Sequence, residues 1–288
     1  MSNQSNDIAF THTHELLSDG TVAFLCDRDE TAWPWLTLPS VHPLVLQSIN
    51  YWASVETGKT RGTLDPDKWS ALTYSRWECG TRPTGPITHG LADHPGDGFK
   101  PDEPAFRLTF FDSAGALVGR MIGTGVVFRT RDFEGWRQKS RTSVHAAEEG
   151  PRLAYAAPCA LGVATPVECF LTPLSPTDGR SAQGLITRAN GLMPHHPYHG
   201  GSGDHVNANH LADAAFQFAH LLHSGQRLRC RAGEMRFRHY VELGKPFTVQ
   251  EIKAEEAAGE SGAVVLEVSQ GGRLCTEVTL WVEACAVG

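Results

Sequence analysis

The histidines of this chain are concentrated in one short region. Residues 195–223 contain seven of the fourteen histidines, in a stretch that begins His-His-Pro-Tyr-His-Gly-Gly-Ser-Gly-Asp-His. This glycine-rich stretch leads directly into an alanine-rich apolar segment that predicts a helix. Because the first N–H groups of a helix are unpaired and carry partial positive charge, they suit an anionic or polarised carbonyl oxygen. Acid–base groups concentrated there indicate a catalytic site.

Asp213 is the residue of this region that packing explains least. A carboxyl group in the middle of an apolar helix is costly to bury unless it is paired, and burial would raise its pKa. The position that we expect to correspond to it in an earlier helix is Leu46. The sequence therefore predicts that Asp213 is an acid–base group.

Other polar residues around the helix start have simpler alternatives. Asp204, Asn207 and His210 are predicted to line the entrance, although an Asp or Asn before a helix is commonly an N-cap. The His-His-x-x-His run has no Glu between its members and no helical spacing, so no metal is expected. His220 receives no chemical role. His42, which begins the earlier helix before Pro43, is either structural or a site residue.

The elements that would position these residues occur twice. Asp-Gly turns at 19–20 and 178–179 each precede a predicted strand. Apolar helices at 42–55 and 209–222 follow, with Gly58 and Gly225 as expected C-caps. Hairpins are predicted within 108–128 and 264–282, and residues 79–104 are predicted to be a loop. This order predicts units at 1–139 and 166–288, joined by a linker at 140–165.

The order of an apolar helix and then long antiparallel strands occurs twice in tandem. This arrangement resembles the double-hotdog fold. The resemblance implies an α+β protein in which each half is a long central helix wrapped by a curved antiparallel sheet. Residues 198–217 also resemble individual motifs of that superfamily, in three different ways.

The first resemblance is to hotdog hydroxyacyl-thioester dehydratases, which have a loop histidine, a helix acid fourteen residues later and a glutamine four residues beyond. His199, Asp213 and Gln217 have this spacing. The resemblance implies that a base removes the α-proton of a 3-hydroxyacyl thioester while an acid protonates the departing hydroxyl. Gln217 would orient Asp213.

The second and third resemblances are to other branches of the superfamily. Ser202-Gly203-Asp204, an asparagine and His210 resemble the MaoC-like hydratase signature, with one residue inserted and its proline missing. Asp204-His205-Val206-Asn207 resembles the corresponding segment of acyl-thioesterases, in which a carboxylate or asparagine helps water to attack the thioester carbonyl.

Paired hotdog units normally combine the histidine of one unit with the acid of the other. The histidine that serves Asp213 would then come from the first half, where the spacing leads to Ala32, and His42 is the nearest alternative to His199. Trp33 and Trp35 are predicted to form the wall of an acyl pocket, so the acyl chain would pass them.

Composition excludes several other classes of protein. A net charge of −7 argues against nucleic-acid binding. No apolar run is long enough to span a membrane, and residues 1–7 do not resemble a signal peptide. Seven cysteines without a Cys-x-x-Cys pair predict neither a disulfide framework nor a zinc site. A cytoplasmic protein is expected.

The sequence thus predicts an enzyme for acyl thioesters carried by acyl carrier protein or coenzyme A, with no organic cofactor or metal. Dehydration of a 3-hydroxyacyl thioester, or the reverse hydration, is the favoured reaction. Thioester hydrolysis is the first alternative, and a non-catalytic acyl-binding module is the second. Arg236, Arg238 and Lys245 are predicted to be exposed and able to contact a carrier protein. The expected assembly is a monomer or a homodimer.

Overall fold

The computed structural model describes residues 9–64, 70–82, 85–93, 105–127, 135, 137–139, 142, 153–187, 189–190, 205–252 and 262–285. The strands are β1 (Thr11–Leu16), β2 (Val22–Cys26), β3 (Ser70–Cys79), β4 (Ile87–Asp93), β5 (Ala105–Asp112), β6 (Leu117–Val127), β7 (Ser181–Gly184), β8 (Leu228–Phe237), β9 (Phe247–Glu251), β10 (Ala263–Gln270) and β11 (Arg273–Ala284). The α-helices are α1 (Pro43–Arg61), α2 (Pro158–Leu161) and α3 (Ala208–Leu222), with 3-10 turns at Pro34–Thr37 and Pro166–Glu168. None of the helices in the described ranges has the length and apolar character that crossing a membrane requires.

The strands form one antiparallel sheet in the order β1-β2-β4-β5-β6-β3-β8-β11-β10-β9-β7. The two strands that directly follow the long helices, β3 and β8, pair with each other in the middle. Outward from that pair, the first half runs β6, β5, β4, β2 and the second half runs β11, β10, β9, β7, and the first half has β1 in addition, paired outside β2. The same connectivity therefore occurs on both sides of the β3–β8 pair.

Both long helices begin and end with recognisable caps. His42 is the N-cap of α1, where its side chain accepts the Leu44 N–H, and Pro43 follows in the first turn. The expected C-cap at Gly58 is wrong, because α1 continues to Arg61 and ends at Gly62 with a left-handed φ of 69°. The C-cap expected at Gly225 is also wrong, because α3 ends at Leu222 with His223 as its C-cap. Gly225 lies two residues further on, with a φ of 74°, and its N–H donates to the His220 carbonyl.

The predicted loop at 79–104 is also wrong in part, because β4 lies within it. The inward positions of β4 are Ile87, Gly90 and Ala92. A Cβ on Gly90 would lie 2.4 Å from the Phe24 ring, so the glycine gives space to an aromatic side chain of β2. The glycine that indicated a loop is thus a packing position within a strand.

Helices α1 and α3 pack against each other in antiparallel directions. The His42 ring at the start of α1 contacts Phe216 late in α3, whereas Ser48 accepts a hydrogen bond from Asn209 early in α3. Every residue of α3 from Asn209 to His220 is buried. Asp213 is six residues after the N-cap Asn207, as Ser48 is six residues after the N-cap His42. Ser48, not Leu46, is therefore the counterpart of Asp213.

The segment after β6 packs on the second half. Its described residues 135, 137–139 and 142 are helical. Arg137 forms a bidentate ion pair with Glu242, at 2.8 and 3.0 Å, and the two side chains are only 4% and 6% exposed. The Arg137 guanidinium also lies 4.3 Å from the centre of the Tyr240 ring.

Candidate active site

Asp213 is a buried carboxyl group on α3. The residue is 6% exposed. Burial raises its pKa to about 7; a hydrogen bond from Gln217 opposes that shift, and the nearby Glu168 carboxylate adds to it. A carboxyl group with this pKa is divided between its acid and its base at neutral pH, so it can both release and accept a proton.

Gln217 holds the segment that covers this part of α3. Its Oε1 accepts the Phe170 N–H at 3.0 Å, and its Nε2 donates to the Glu168 carbonyl at 2.8 Å. Because one backbone partner is a donor and the other is an acceptor, the orientation of the amide is fixed. Gln217 therefore orders residues 168–170 next to Asp213 as well as contacting its carboxyl group.

His42, at the start of α1, packs against α3. Its ring meets the Phe216 ring edge-on, with 5.0 Å between the ring centres. Phe216 is three residues after Asp213, which places both on one face of α3 about one turn apart. Burial, and then the nearby His220, lower the pKa of His42 below its ordinary value. His42 is therefore a neutral imidazole beside the carboxyl-bearing face of α3.

His220 is a buried residue for which the sequence pattern predicts no chemical role. Its Nδ1 lies 2.9 Å from the Phe216 carbonyl, and its ring meets the Phe216 ring edge-on at 4.7 Å. Gly162 is the C-cap of α2, and a Cβ there would lie 2.5 Å from the His220 ring. The absence of a side chain at Gly162 therefore leaves space for the ring. The signal in the sequence was its position seven residues after Asp213, which is the same helix face.

The N-terminus of α3 is built differently from the predicted capped helix. Asn207 has the N-cap conformation without a side-chain capping bond. The Asn209 amide instead donates to Ser48 of α1 at 3.2 Å. His210 is buried, with its ring 6.1 Å from that of Phe170. His199 and Asp204 lie outside the described residues.

The two tryptophans of the proposed acyl-pocket wall are in the core of the first half. Trp33 and Trp35 pack against Phe10, and Trp33 also packs against Trp52 on α1. The Trp33 indole N–H donates to Asp27 at 2.9 Å. This aromatic cluster surrounds the part of α1 beyond Ser48.

The three basic residues suggested for carrier-protein contact are in different environments. Arg236 and Arg238 are exposed and paired with Glu234 and Glu277. Lys245 is buried, which corrects the expectation that it is exposed. It lies in the turn after Glu242. The backbone carbonyls of Glu242 and Lys245 both accept hydrogen bonds from the Gln270 side-chain amide.

Comparison with known proteins identifies the fold. No protein-family model matches the sequence, and no curated protein matches it. A structure provisionally described as an oleoyl thioesterase from Lactobacillus plantarum is 14% identical, with a TM-score of 0.52, and the match covers 85% of this chain and 90% of that one.

Two acyl-carrier-protein thioesterases have comparable similarity. The 12:0-ACP thioesterase from Umbellularia californica is 13% identical over 84% of this chain and 90% of that one, with a TM-score of 0.50. An acyl-ACP thioesterase from Bacteroides thetaiotaomicron is 12% identical over 92% and 97%, with a TM-score of 0.50. These neighbours are hotdog-fold proteins, and at this level of identity the likeness is one of fold. The chain has a hotdog fold.

Proposed function

We propose that this chain is an enzyme for acyl thioesters that dehydrates a 3-hydroxyacyl thioester or catalyses the reverse hydration. The observation that carries the proposal is Asp213, a buried carboxyl group with a pKa of about 7 on the face of α3 that His42 contacts. Dehydration requires a group that removes a proton from carbon and a group that protonates a leaving hydroxyl. A carboxyl group with this pKa is suited to both transfers.

The proposal includes a tandem double hotdog, with units at 1–139 and 166–288 and a linker at 140–165. The repeated strand order on the two sides of the β3–β8 pair supports it. The antiparallel packing of α1 against α3 supports it too, because His42 of the first half contacts Phe216, which is one helical turn from Asp213 in the second. A fused pair would serve as a monomer or as a homodimer of such pairs.

Each predicted site residue keeps a role in the proposal. Asp213 transfers protons, Gln217 orients it, and the histidine is His42 or His199. The position of His42 on Phe216 favours His42. The entrance is assigned to Asp204, Asn207 and His210, and the acyl-pocket wall to Trp33 and Trp35.

The substrate of the proposed reaction is bound through phosphopantetheine, either on acyl carrier protein or in coenzyme A. The chemistry needs no organic cofactor and no metal, because every step is a proton transfer or an elimination. The exposed Arg236 and Arg238 are available for a carrier protein, although each is paired with a glutamate.

Thioester hydrolysis is the second candidate function. The three similar structures carry the names of thioesterases, and those names favour a thioester as substrate. In this alternative the Asp213 carboxylate would activate the water that attacks the thioester carbonyl.

Incubation with 3-hydroxyacyl thioesters of coenzyme A and of acyl carrier protein tests the proposal. Dehydration gives an enoyl thioester and no free thiol, whereas hydrolysis releases the thiol. We expect enoyl product from the wild type, a loss of about 10²–10⁴-fold in Asp213→Asn, and no change in the matched Asp19→Asn. Asp19 is an exposed turn residue whose Oδ1 accepts the Thr21 N–H, as an asparagine oxygen also can.

Free thiol without enoyl product would favour hydrolysis. Tight binding of an acyl-pantetheine without turnover in the wild type, and unchanged binding in Asp213→Asn, would favour a non-catalytic acyl-binding module. Full activity in Asp213→Asn would contradict the assignment of Asp213.

A further inference from the structure

The hydrogen bond at the start of α1 decides which nitrogen of His42 carries the proton. The Leu44 backbone N–H donates to His42 Nδ1 at 3.2 Å. A nitrogen that accepts from an N–H offers its lone pair, so Nδ1 is unprotonated. A neutral imidazole in this position must therefore carry its proton on Nε2.

Three features of the surroundings favour the neutral ring. The ring is partly buried against Phe216 of α3. It caps the N-terminus of a 19-residue helix, where the partial positive charge of the helix disfavours a cation. The His220 imidazole also contacts Phe216 edge-on, and its own charge, when it is protonated, disfavours a second positive charge nearby.

The Nε2–H of His42 is available to a ligand. Within the described part of the chain, the contacts of the His42 side chain are the bond from Leu44 to Nδ1, the Phe216 ring and the electrostatic effect of His220. None of these uses the Nε2 proton. Phe216, which the His42 ring contacts, is one turn from Asp213 on the same face of α3, so we infer that this N–H can reach a group bound near the carboxyl.

Resting on the function proposed above, we propose that His42 acts as a neutral hydrogen-bond donor to the thioester carbonyl oxygen, and that Asp213 alone moves protons. Neutral imidazoles at helix N-termini can polarise a carbonyl in this way. His42 then stabilises the charge that develops on the oxygen and keeps its own proton throughout.

The reaction balances with one carboxyl group. The Asp213 carboxylate removes the proton from C2 of the 3-hydroxyacyl thioester, and the electron pair of that C–H bond moves toward the carbonyl oxygen as an enolate. The enolate returns its electrons to form the C2–C3 double bond, and the C3–O bond breaks. The departing hydroxyl takes the proton from the Asp213 carboxylic acid and leaves as water, so Asp213 is again a carboxylate.

A histidine acting as the base would need a different structure at this position. Its Nε2 would have to be unprotonated, which would place the proton on Nδ1 and break the capping bond from Leu44. The donor role keeps both the cap and the neutral ring that the structure has.

Two amide variants of His42 distinguish the donor from the base. A glutamine amide nitrogen extends to about the place of Nε2 and supplies an N–H, whereas an asparagine oxygen reaches about the place of Nδ1 and retains the cap. Neither can act as a base. We expect His42→Gln to keep kcat/KM within about 10-fold of the wild type, and His42→Asn to lose about 10²–10³-fold, the usual effect of removing one such donor.

An equal loss in His42→Gln and His42→Asn, with both folded, would overturn the donor role and favour a base. The exposed His12→Gln serves as a matched control and should leave kcat/KM unchanged. If His42→Gln fails to fold, the tautomer of His42 in the wild type tests the donor role by itself.

Nitrogen NMR of histidine-labelled wild type reports the tautomer without activity. We expect His42 to show a protonated Nε2 and an unprotonated Nδ1 from pH 6 to pH 8. A protonated Nδ1, or a cationic ring at pH 7, would overturn this inference even in an active enzyme. An inactive wild type with the expected tautomer would contradict the proposed function instead.

Discussion

At the scale of single residues, the unusual feature is a carboxyl group kept where burial disfavours its charge. The pKa of Asp213 moves from an ordinary 3.8 to about 7. Each pKa unit corresponds to about 1.4 kcal/mol, so ionising Asp213 in the folded protein costs roughly 4 kcal/mol more than in the unfolded chain. A residue with only a packing role would not need a carboxyl group, and an apolar side chain there would avoid this cost.

We predict that Asp213→Asn is more stable than the wild type at alkaline pH. Between about pH 4 and pH 7 the folded carboxyl keeps a proton that the unfolded chain releases, so stability falls as pH rises through that window. The neutral amide removes this dependence. Urea unfolding at pH 5 and pH 8 should show a gain in the variant that is about 2.5 kcal/mol larger at pH 8, because the folded and unfolded carboxyl groups differ in protonation from pH 5 to about pH 7. A gain independent of pH would contradict burial as the cause of the shift.

The same ionisation predicts the pH dependence of activity. If the Asp213 carboxylate starts the reaction, kcat/KM rises with pH as a single step near pH 7. With His42 as a donor, no second ionisation of a histidine should appear between pH 5 and pH 8. The measurement is kcat/KM across that range, and a bell-shaped profile would indicate a second titrating residue.

The sequence was sufficient to single out Asp213, because packing alone does not favour an acid inside an apolar helix, whereas Gln217 was named only from the resemblance to hydroxyacyl-thioester dehydratases. It was not sufficient for His42 or His220. The role of His42 depends on a backbone hydrogen bond from Leu44, and the position of His220 depends on its contacts with Phe216. Such contacts depend on how α1 meets α3, which no local pattern specifies.

At the scale of secondary-structure elements, Gln217 connects α3 to residues 168–170 through two hydrogen bonds to the backbone. We predict that Gln217→Ala lowers the free energy of unfolding by about 2–4 kcal/mol, because two buried backbone groups lose their partners. The pKa of Asp213 should rise further, since the Gln217 hydrogen bond lowers it.

Denaturant unfolding and the pH profile of activity measure these two effects of Gln217→Ala. Gln226, an exposed residue after α3, provides the matched control Gln226→Ala. If Gln217→Ala is as stable as Gln226→Ala, hydrogen bonds to water have replaced those that Gln217 makes to the backbone of residues 168 and 170.

The ends of elements are predicted less well than their order. Gly58 satisfies the local rule for a C-cap, yet α1 continues for another turn because Gly62 provides the left-handed residue. Gly90 and its neighbours fit the pattern of a loop, although Gly90 is the position at which β4 passes the Phe24 ring. Glycine occurs at helix ends, in turns and where a neighbouring side chain approaches the backbone closely. The sequence does not distinguish these three cases, whereas the packing does.

At the scale of the whole molecule, the two halves are joined by the β3–β8 pair, where Trp77 is opposite Gly233. A Cβ on Gly233 would lie 2.0 Å from the buried Trp77 ring. We predict that Gly233→Ala lowers the free energy of unfolding by about 1–3 kcal/mol through overpacking.

Thermal and denaturant unfolding check the Gly233→Ala prediction. Gly85→Ala is the control, since a Cβ there would make only an ordinary contact with Asp112 at 3.9 Å. Equal stability of the two variants would mean that the pairing adapts to the added methyl group.

The buried Arg137–Glu242 pair fixes the segment after β6 to the second half. Arg137→Leu should lower the free energy of unfolding by about 3–5 kcal/mol, because it removes the bidentate ion pair of a buried carboxylate. The double variant Arg137→Leu/Glu242→Leu should recover much of this loss. A double-mutant cycle at pH 7 measures the coupling, and additive losses would contradict it.

The repeat in the sequence indicated the repeated order of strands before any packing was considered. The single continuous sheet was not indicated, because pairing of β3 with β8 joins residues far apart in the chain. The packing of α1 against α3 is a second long-range contact of this kind, and the sequence describes the two helices only separately.

The two outer borders of the sheet are short or irregular. By joining β3 to β8, the chain leaves β1 and β7 as the borders of the described sheet where a foreign strand could add itself. β1 has an irregular register between His12 and Glu15, and β7 is four residues long with Leu171 and Thr172 hydrogen-bonded to its outer side. Both borders therefore disfavour the addition of a foreign strand, the step by which a sheet would grow into a filament.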